Sequence, residues 1–265
     1  MSDRNQAGEW HDLSVPQVES WMKNEDTEQI STEFYLQILN DRATLIEIIR
    51  KRELLIKIIK QALIQLDPHQ RGMAITLAQC MPPGKNGKIR SLRERMGQGT
   101  YPWDSDLENL SIFLANESLA GYVAQNQLPS SIEDLSNETL RPAYQTEDEV
   151  SAAAAPIMLE GKIAGCLLAS SVVIGHFTQQ RLSLLASFSD LISLALDPDE
   201  FYPREIIQLG VLRYKRSTDQ RAILQAYPRL VQNKLVESYQ TSHPLTYLEA
   251  EEIVWVELEN QVLLG

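Results

Sequence analysis

Cysteine and histidine are scarce in this chain of 265 residues, which has two cysteines and four histidines. Cys80 and Cys166 lie far apart in sequence, each within an apolar segment. This usage predicts no disulfide framework and is typical of a cytoplasmic protein. The scattered histidines suggest no catalytic triad, and the sequence has no glycine-rich phosphate loop, nucleophile elbow or paired-cysteine metal spacing. We therefore expect a protein that is not an enzyme and that has no metal site.

Long apolar runs and an excess of basic residues are missing as well. No segment approaches the roughly 20 consecutive apolar residues of a membrane-spanning helix. Residues 1–9 are polar and contain no apolar core of a signal peptide, so none is expected. The formal net charge is −12. Because an acidic surface repels phosphate groups, neither nucleic acid nor a membrane is expected as a partner.

The most informative pattern in the sequence runs from residue 150 to residue 196. Two apolar runs, Ser151–Leu159 and Ile163–Val173, flank a turn at Glu160-Gly161-Lys162, and this order predicts a β-hairpin. A helical pattern follows the hairpin. Its apolar positions are Leu182, Leu184, Leu185, Phe188, Leu191 and Ile192. A hairpin closed by an amphipathic helix indicates an α+β fold.

Further elements are predicted upstream of the hairpin. The apolar run Met73–Met81 predicts a strand, and the basic run Lys88–Met96 predicts a second strand at a solvated sheet edge. A short strand is expected at Leu110–Leu114, a helix at Ser118–Gln127 and an extended segment at Leu128–Glu133. Together these elements predict a sheet with flanking helices.

The order of these elements between residues 72 and 197 resembles the GAF domain family. The small-residue helix Ser118–Gln127, the segment Ile132-Glu133-Asp134 and the hairpin residues Ala155-Pro156-Ile157 and Gly165–Ala169 carry the resemblance, together with Phe177-Thr178 before the closing helix. The resemblance implies an antiparallel central sheet flanked by helices. It also implies a role in small-molecule sensing or in protein pairing.

The resemblance implies a ligand pocket between the sheet and its loop-rich helical face. We expect this pocket to be lined by Tyr101, Trp103, Asp104, Tyr122, Glu133 and Tyr144. The alternative is that Tyr101 and Trp103 anchor a lid or core over an empty pocket.

The sequence departs from the ligand-specific members of the resembled family. Neither cysteine has the neighbouring histidine of bilin-binding members, and the cysteine cluster of methionine sulfoxide-reducing members is missing. The Asn-Lys-Phe-Asp-Glu set of cyclic-nucleotide-binding members cannot be placed between residues 116 and 149. The two histidines considered as haem ligands are His69 and His176, but a lone histidine is more often a structural or surface residue. The ligand and any cofactor therefore stay unknown.

The N-terminal region predicts an arm and a long helix. Residues 1–30 are polar, with two tryptophans, and are expected to form a partly ordered arm. Residues 31–67 contain no glycine or proline before Asp67-Pro68, which predicts one long amphipathic helix. The helix is expected to pair with a second copy of the chain. The seam residues are Ile38, Leu45, Ile49, Ile56, Ile59 and Leu63. The alternative is that the helix packs only on its own sheet.

The C-terminal region, residues 203–265, predicts three further helices with separated charges. Residues 204–234 contain seven basic and two acidic residues, whereas residues 237–265 contain six acidic residues and no lysine or arginine. Such asymmetry is typical of a partner-binding surface. The candidate basic patch consists of Arg213, Lys215, Arg216 and Arg221. The alternative is that the acidic helix packs beside the basic one and neutralises it, and DNA binding is a weaker third possibility.

These patterns favour a non-catalytic, cytoplasmic sensory or scaffold protein that dimerises through helices and regulates a protein partner, with a small-molecule ligand as an option. The alternative is a ligand-free adaptor in transcription or signalling that uses its charged C-terminal helices. The two hypotheses differ in what binds: a small molecule in the first and another protein at the C-terminal region in the second.

Overall fold

A six-stranded antiparallel sheet forms the centre of the computed structural model, which describes residues 29–107, 112–137, 148–213, 217–239 and 243–263. The spatial order of the strands is β3-β2-β1-β6-β5-β4. The strands are β1 Met73–Cys80, β2 Leu92–Gly99, β3 Phe113–Leu114, β4 Ser130–Ile132, β5 Ser151–Leu159 and β6 Lys162–Ser171. The helices are α1 Thr32–Thr44, α2 Glu47–Leu66, α3 Leu119–Asn126, α4 Gln179–Ser193, α5 Ser217–Leu224, α6 Tyr227–Ser238 and α7 Tyr247–Val262. The predicted α+β fold, an antiparallel sheet flanked by helices, is confirmed.

The predicted hairpin is formed by β5 and β6. The two strands pair directly, with Ala153 opposite Ala169 and Leu159 opposite Lys162. Glu160 and Gly161 both have positive φ, at 51° and 74°. Two successive residues with positive φ give the turn a twist that matches the right-handed twist of the strands. The glycine turn therefore fixes the pairing next to it, and a bulge between Ile157 and Met158 shifts the pairs beyond by one residue.

Helices cover the two faces of the sheet unequally. On one face α2 and α4 bury a large apolar core with β1, β5 and β6, centred on residues such as Ile58, Leu77 and Phe188. On the other face α3 packs through Leu119 and Val123 against the alanine-rich strand β5. Small residues on β5 allow this close approach, and they leave little empty space beneath α3.

The three C-terminal helices complete the sheet at the β2–β3 end. Apolar residues of α6 and α7, including Val231, Val254 and Leu258, form a third core with Met81 and Phe113. Gln220 of α5 is fully buried; its side-chain oxygen accepts from Phe113 N–H at 2.9 Å, and its nitrogen donates to Phe113 O at 3.0 Å. The C-terminal region is therefore packed on the sheet rather than extended away from it.

The single helix predicted over residues 31–67 is wrong in one respect: the chain forms two helices. Leu45 and Ile46 are extended, with ψ of 140° and 144°. Arg50 stabilises the break because its guanidinium donates twice to Leu45 O, at 3.0 and 2.9 Å. Lys57 of α2 also pairs with Asp41 of α1. These contacts turn α1 back toward α2, although no glycine or proline marks the break.

The prediction that the basic strand forms a solvated edge is also wrong. Strand β2 lies between β3 and β1, and Arg93 on it is only 8% exposed. Helix α7 covers this part of the strand, since Trp255 lies under the Arg93 guanidinium. Arg93 thus faces acidic α7, whereas Arg95, the other basic residue of β2, is exposed.

The expected arm at residues 1–30 lies outside the described residues, apart from its last two positions. Within the part of the chain that the structure describes, no helix is both long and apolar enough to cross a bilayer.

Candidate functional site

A small cavity lies beneath α3, where the sheet meets the helix; we call it the α3-side cavity. Its volume is about 40 Å³, and Leu119 and Ala120 of α3 fill most of the space above Leu168 and Ala152 of the sheet. The N-cap Ser118 fixes the start of α3 by accepting a hydrogen bond from Gly121 N–H at 2.9 Å. A space of this size admits about one water molecule and no organic ligand.

Two carboxyl groups, those of Glu94 and Glu149, line the α3-side cavity. Burial raises the pKa of Glu94 to about 7, the neighbouring charge of Glu149 adds to the rise, and a hydrogen bond from Thr76 Oγ1 at 3.0 Å opposes it. Glu149 is 6% exposed and accepts from Ser170 Oγ at 2.7 Å. Near pH 7 Glu94 is therefore a proton-exchanging group beside a second carboxyl.

A second and much larger space, the C-terminal cleft, lies between β1–β2 and the helices α5–α7. Its volume is about 720 Å³, within the range of small-molecule sites. Its lining includes Arg93 of β2, Tyr227 of α6 and Trp255 of α7. The Tyr227 and Trp255 rings stack with centroids 4.3 Å apart, and the Arg93 guanidinium carbon lies 3.7 Å from the Trp255 ring centroid.

Sequence reasoning missed most of this cleft. Arg221 was expected in a basic patch and does line it, but Arg93, Tyr227 and Trp255 were not singled out. The available signal was charge: a basic segment at residues 88–95 and an acidic helix that contains one tryptophan are complementary. Pairing those two segments would have placed Trp255 over β2.

The residues predicted to line a ligand pocket do not meet in either space. Tyr101 is 89% exposed, and Trp103 lies against Gly99 at the end of β2. Asp104 is exposed, Tyr122 is on the outer side of α3, and Glu133 follows β4 with an exposed side chain. Tyr144 lies outside the described residues. Their predicted role in ligand binding stays a prediction.

The predicted pairing seam is divided by the fold. Ile38, Ile59 and Leu63 are buried in the chain's own core, at 0%, 0% and 8% exposure, so they are not available to a second copy. Leu45 and Ile56 are half-buried, and Ile49 alone of the six is exposed, at 42%. The prediction that these three residues form an intermolecular seam is therefore wrong, because the turn between α1 and α2 directs them into the chain's own core.

The basic patch is only partly described. Arg213 and Arg221 are exposed, whereas Lys215 and Arg216 lie outside the described residues. The acidic helix α7 packs on α6, where Lys234 Nζ lies 2.7 Å from Glu257. The expected alternative, in which acidic and basic helices neutralise each other, thus accounts for part of the charge asymmetry.

Comparison with known families decides the assignment of the sheet and its helices. The sequence model described as GAF domain matches residues 59–196, just over half of the chain. This chain belongs to the GAF domain family. The match begins within α2 and ends just after α4, so the GAF domain includes the whole sheet and excludes α5–α7.

Solved structures similar to this GAF protein include GAF domains and an enzyme. A GAF domain of an Acinetobacter phosphoenolpyruvate-protein phosphotransferase is 15% identical, with 63% of this chain and 93% of that chain covered and a TM-score of 0.41. The type II free methionine-R-sulfoxide reductase of Thermoplasma acidophilum is 13% identical (58% and 98% covered, TM-score 0.41). The GAF-B domain of DevS from Mycobacterium smegmatis is 15% identical (55% and 91%, TM-score 0.36). No curated protein sequence matches the chain.

The cysteines and the buried histidine of this GAF domain occupy structural positions. Burial raises the pKa of the Cys80 thiol to about 12 and raises that of Cys166 as well, so both thiols are neutral at pH 7. His176 is buried and its Nε2 lies 3.0 Å from Leu66 O. Among the described residues, no three histidine, cysteine or acidic side chains come together as metal ligands would.

Proposed function

We propose that this chain is a non-catalytic GAF-type regulatory protein of the cytoplasm that works as a homodimer and acts on a protein partner. Membership of a family with a sensory fold supports the regulatory role. The exposed apolar surface of α1 and α2 supports the dimer. The packing of α5–α7 on the sheet supports a path from the GAF domain to a partner, because any change at β2 reaches these helices directly.

The dimer proposal rests on the exposed apolar residues around the α1–α2 break, which we call the junction surface. Its members are Leu36, Leu39, Ile46, Ile48 and Ile49, with exposures of 61%, 50%, 67%, 91% and 42%. Apolar residues concentrated in one short stretch of chain are typical of an interface. A second copy is the partner we propose, since an apolar surface is complementary to itself across a two-fold axis.

The dimer proposal depends mainly on the 91% exposure of Ile48. Light scattering tests the proposal. We expect the purified chain to have twice the monomer mass and the Leu39→Glu/Ile48→Glu variant to have the monomer mass, because a carboxylate in an apolar interface is desolvated. Val236→Glu is the matched control, since Val236 is exposed on α6, and it should remain dimeric. A monomeric wild type, or a doubly substituted variant that stays dimeric, contradicts the proposal.

The non-catalytic part of the proposal is supported by the state of the two thiols. A nucleophilic cysteine needs thiolate at neutral pH, and burial opposes it at Cys80 and Cys166. The sharpest test is reduction of free methionine-R-sulfoxide by the purified chain with a dithiol reductant. We expect no turnover above that of a Cys80→Ser/Cys166→Ser variant. Turnover that disappears in this variant would overturn the proposal.

The competing adaptor hypothesis depends on free charges at the C-terminal helices. Several of these charges are engaged inside the chain: Glu259 with Arg90, Glu257 with Lys234, and Glu251 with the Tyr227 hydroxyl. These internal contacts support a role of α7 in the chain's own fold. We therefore favour the regulatory homodimer over the adaptor.

A further inference from the structure

The C-terminal cleft contains a buried arginine without a hydrogen-bonding partner. Arg93 is 8% exposed, and its guanidinium makes no hydrogen bond or ion pair with any residue in the described ranges. Its one specific contact is the Trp255 ring. Burial, with the neighbouring Arg95 charge, lowers the pKa of Arg93 to about 9, so the side chain is still charged at pH 7. None of the Arg93 guanidinium nitrogens is among the fully buried polar atoms that lack a partner, so its N–H groups reach the cleft, where a ligand can accept from them.

The stack around Arg93 fixes the direction of its donors. Tyr227 packs on Trp255, and the Tyr227 hydroxyl donates to Glu251, which holds the two rings in place. The Arg93 guanidinium lies over the Trp255 ring, and its N–H groups all lie in the plane of the guanidinium itself. Donors arranged in this plane match the two oxygens of a carboxylate or a phosphate.

The charged side chains that line the cleft carry a net positive charge. Arg95 and Arg221 line it together with Arg93, against two carboxylates, Glu251 and Glu252. Glu251 is already engaged by the Tyr227 hydroxyl. The lining therefore favours a ligand with a single anionic group over a polyanion, which the two glutamates would repel.

We propose that the C-terminal cleft binds a small organic molecule with one carboxylate or phosphate group, which the Arg93 guanidinium holds through paired hydrogen bonds. The cleft volume of about 720 Å³ accommodates such a molecule. Its apolar part contacts Met81, Pro82 and Leu224, which also line the space. Arg95 and Arg221 are at exposed positions and attract the anion to the opening.

This site is separate from the α3-side cavity, which lies between the sheet and α3 and is too small for an organic ligand. The inference adds a ligand to the proposed regulatory function, but its evidence is the cleft alone and does not depend on a dimer. A bound anion would contact both β2 and α7. Occupancy of the cleft is therefore expected to strengthen the contact between the GAF sheet and the C-terminal helices.

Calorimetric titration of the full chain with benzoate and with phenyl phosphate tests the site, and the two probes distinguish a carboxylate from a phosphate. We expect saturable one-to-one binding of at least one probe and an affinity at least about tenfold weaker in Arg93→Met, which keeps the apolar stem on Trp255 but removes the charge. Arg221→Met, at an exposed position, is the second variant and should weaken binding about threefold without altering folding.

Arg213→Met is the matched control, because Arg213 is exposed and does not line the cleft. Binding should be unchanged in this variant, and also in Leu39→Glu/Ile48→Glu, whatever its mass in light scattering. A wild-type chain that binds neither probe at about 10 mM, the weakest affinity that the titration can measure, overturns the inference. Equal affinities of the wild type, Arg93→Met and Arg221→Met overturn it as well.

Discussion

The α3 side of the sheet and its C-terminal side differ in how completely they are filled. Beneath α3, alanines on β5 together with Leu119 and Ala120 of α3 leave about 40 Å³. Between β2 and α5–α7, arginines, glutamates and aromatic rings surround about 720 Å³. Short apolar side chains allow a helix to approach a strand closely, whereas long charged side chains hold it at a distance. The difference indicates that the position of open space within a family fold depends on local residue size.

The largest expected loss of stability comes from a substitution on the α3 side of the sheet. Leu119→Ala removes a side chain that is 4% exposed above the α3-side cavity, and we expect the free energy of unfolding to fall by about 2–4 kcal/mol. Leu248→Ala, at the C-terminal cleft and 71% exposed, should change it by less than about 0.5 kcal/mol. Urea unfolding measures both. Equal losses in the two variants would contradict the contrast between a filled and an open side.

A smaller effect is expected at the contact that holds α7 on β2. The buried Glu259 carboxylate accepts from Arg90 and from Ser91 Oγ, the latter at 2.6 Å. Arg90→Met leaves that carboxylate with Ser91 alone, and we expect a loss of about 2 kcal/mol, reduced from the value for fully buried pairs because Arg90 is partly exposed.

The double variant Arg90→Met/Glu259→Leu serves as the control for the contact between Arg90 and Glu259. It should recover part of the lost stability, since no unpaired buried charge remains. Unfolding in urea gives both values. A double variant no more stable than Arg90→Met would contradict this explanation.

The last predicted effect is confined to neutral and alkaline pH and concerns Glu94. Its folded-state pKa of about 7 is above the ordinary value of 4.5, so the folded chain retains a proton that the unfolded chain has lost. Stability from this group is fully present below about pH 4.5 and falls as the pH rises through 7. Glu149 opposes ionisation of Glu94, whereas Arg221 and the Thr76 hydroxyl favour it.

Glu94→Gln copies the protonated form, so it should match the wild type at pH 5 and be more stable at pH 8 by on the order of 1–3 kcal/mol. Glu205→Gln, at an exposed position, is the control and should show no such pH dependence. Thermal unfolding at the two pH values gives the comparison. A Gln variant that gains as much at pH 5 as at pH 8 would contradict the raised pKa.

Much of the sheet was predictable because its signals are local. The two apolar runs around Glu160-Gly161 give β5 and β6, and the turn sets the register of the pairs next to it, whereas a bulge between Ile157 and Met158 shifts the pairs beyond it by one residue. The N-caps Ser118 and Thr178 mark the starts of α3 and α4. Each of these features depends on residues a few positions apart.

The break between α1 and α2 and the C-terminal cleft were not predictable, because both depend on distant residues. Leu45 and Ile46 are ordinary residues for a helix, and only the contacts of Arg50 and Lys57 separate the two helices. The cleft requires Arg93 to meet Trp255, which is far along the chain. The short strand expected at Leu110–Leu114 is present as β3, Phe113–Leu114, but its pairing with β2, which moves β2 away from the sheet edge, was not predicted.

The side chain of Gln220 has a consequence for any shortened form of this protein. Its amide takes the place that a further strand would occupy next to Phe113, so the sheet ends on an internal group that cannot propagate. Removing α5 would open this border to extended segments of other molecules. Truncated chains are therefore expected to self-associate edge to edge, and fragment studies of the sheet alone would report oligomers that the full chain does not form.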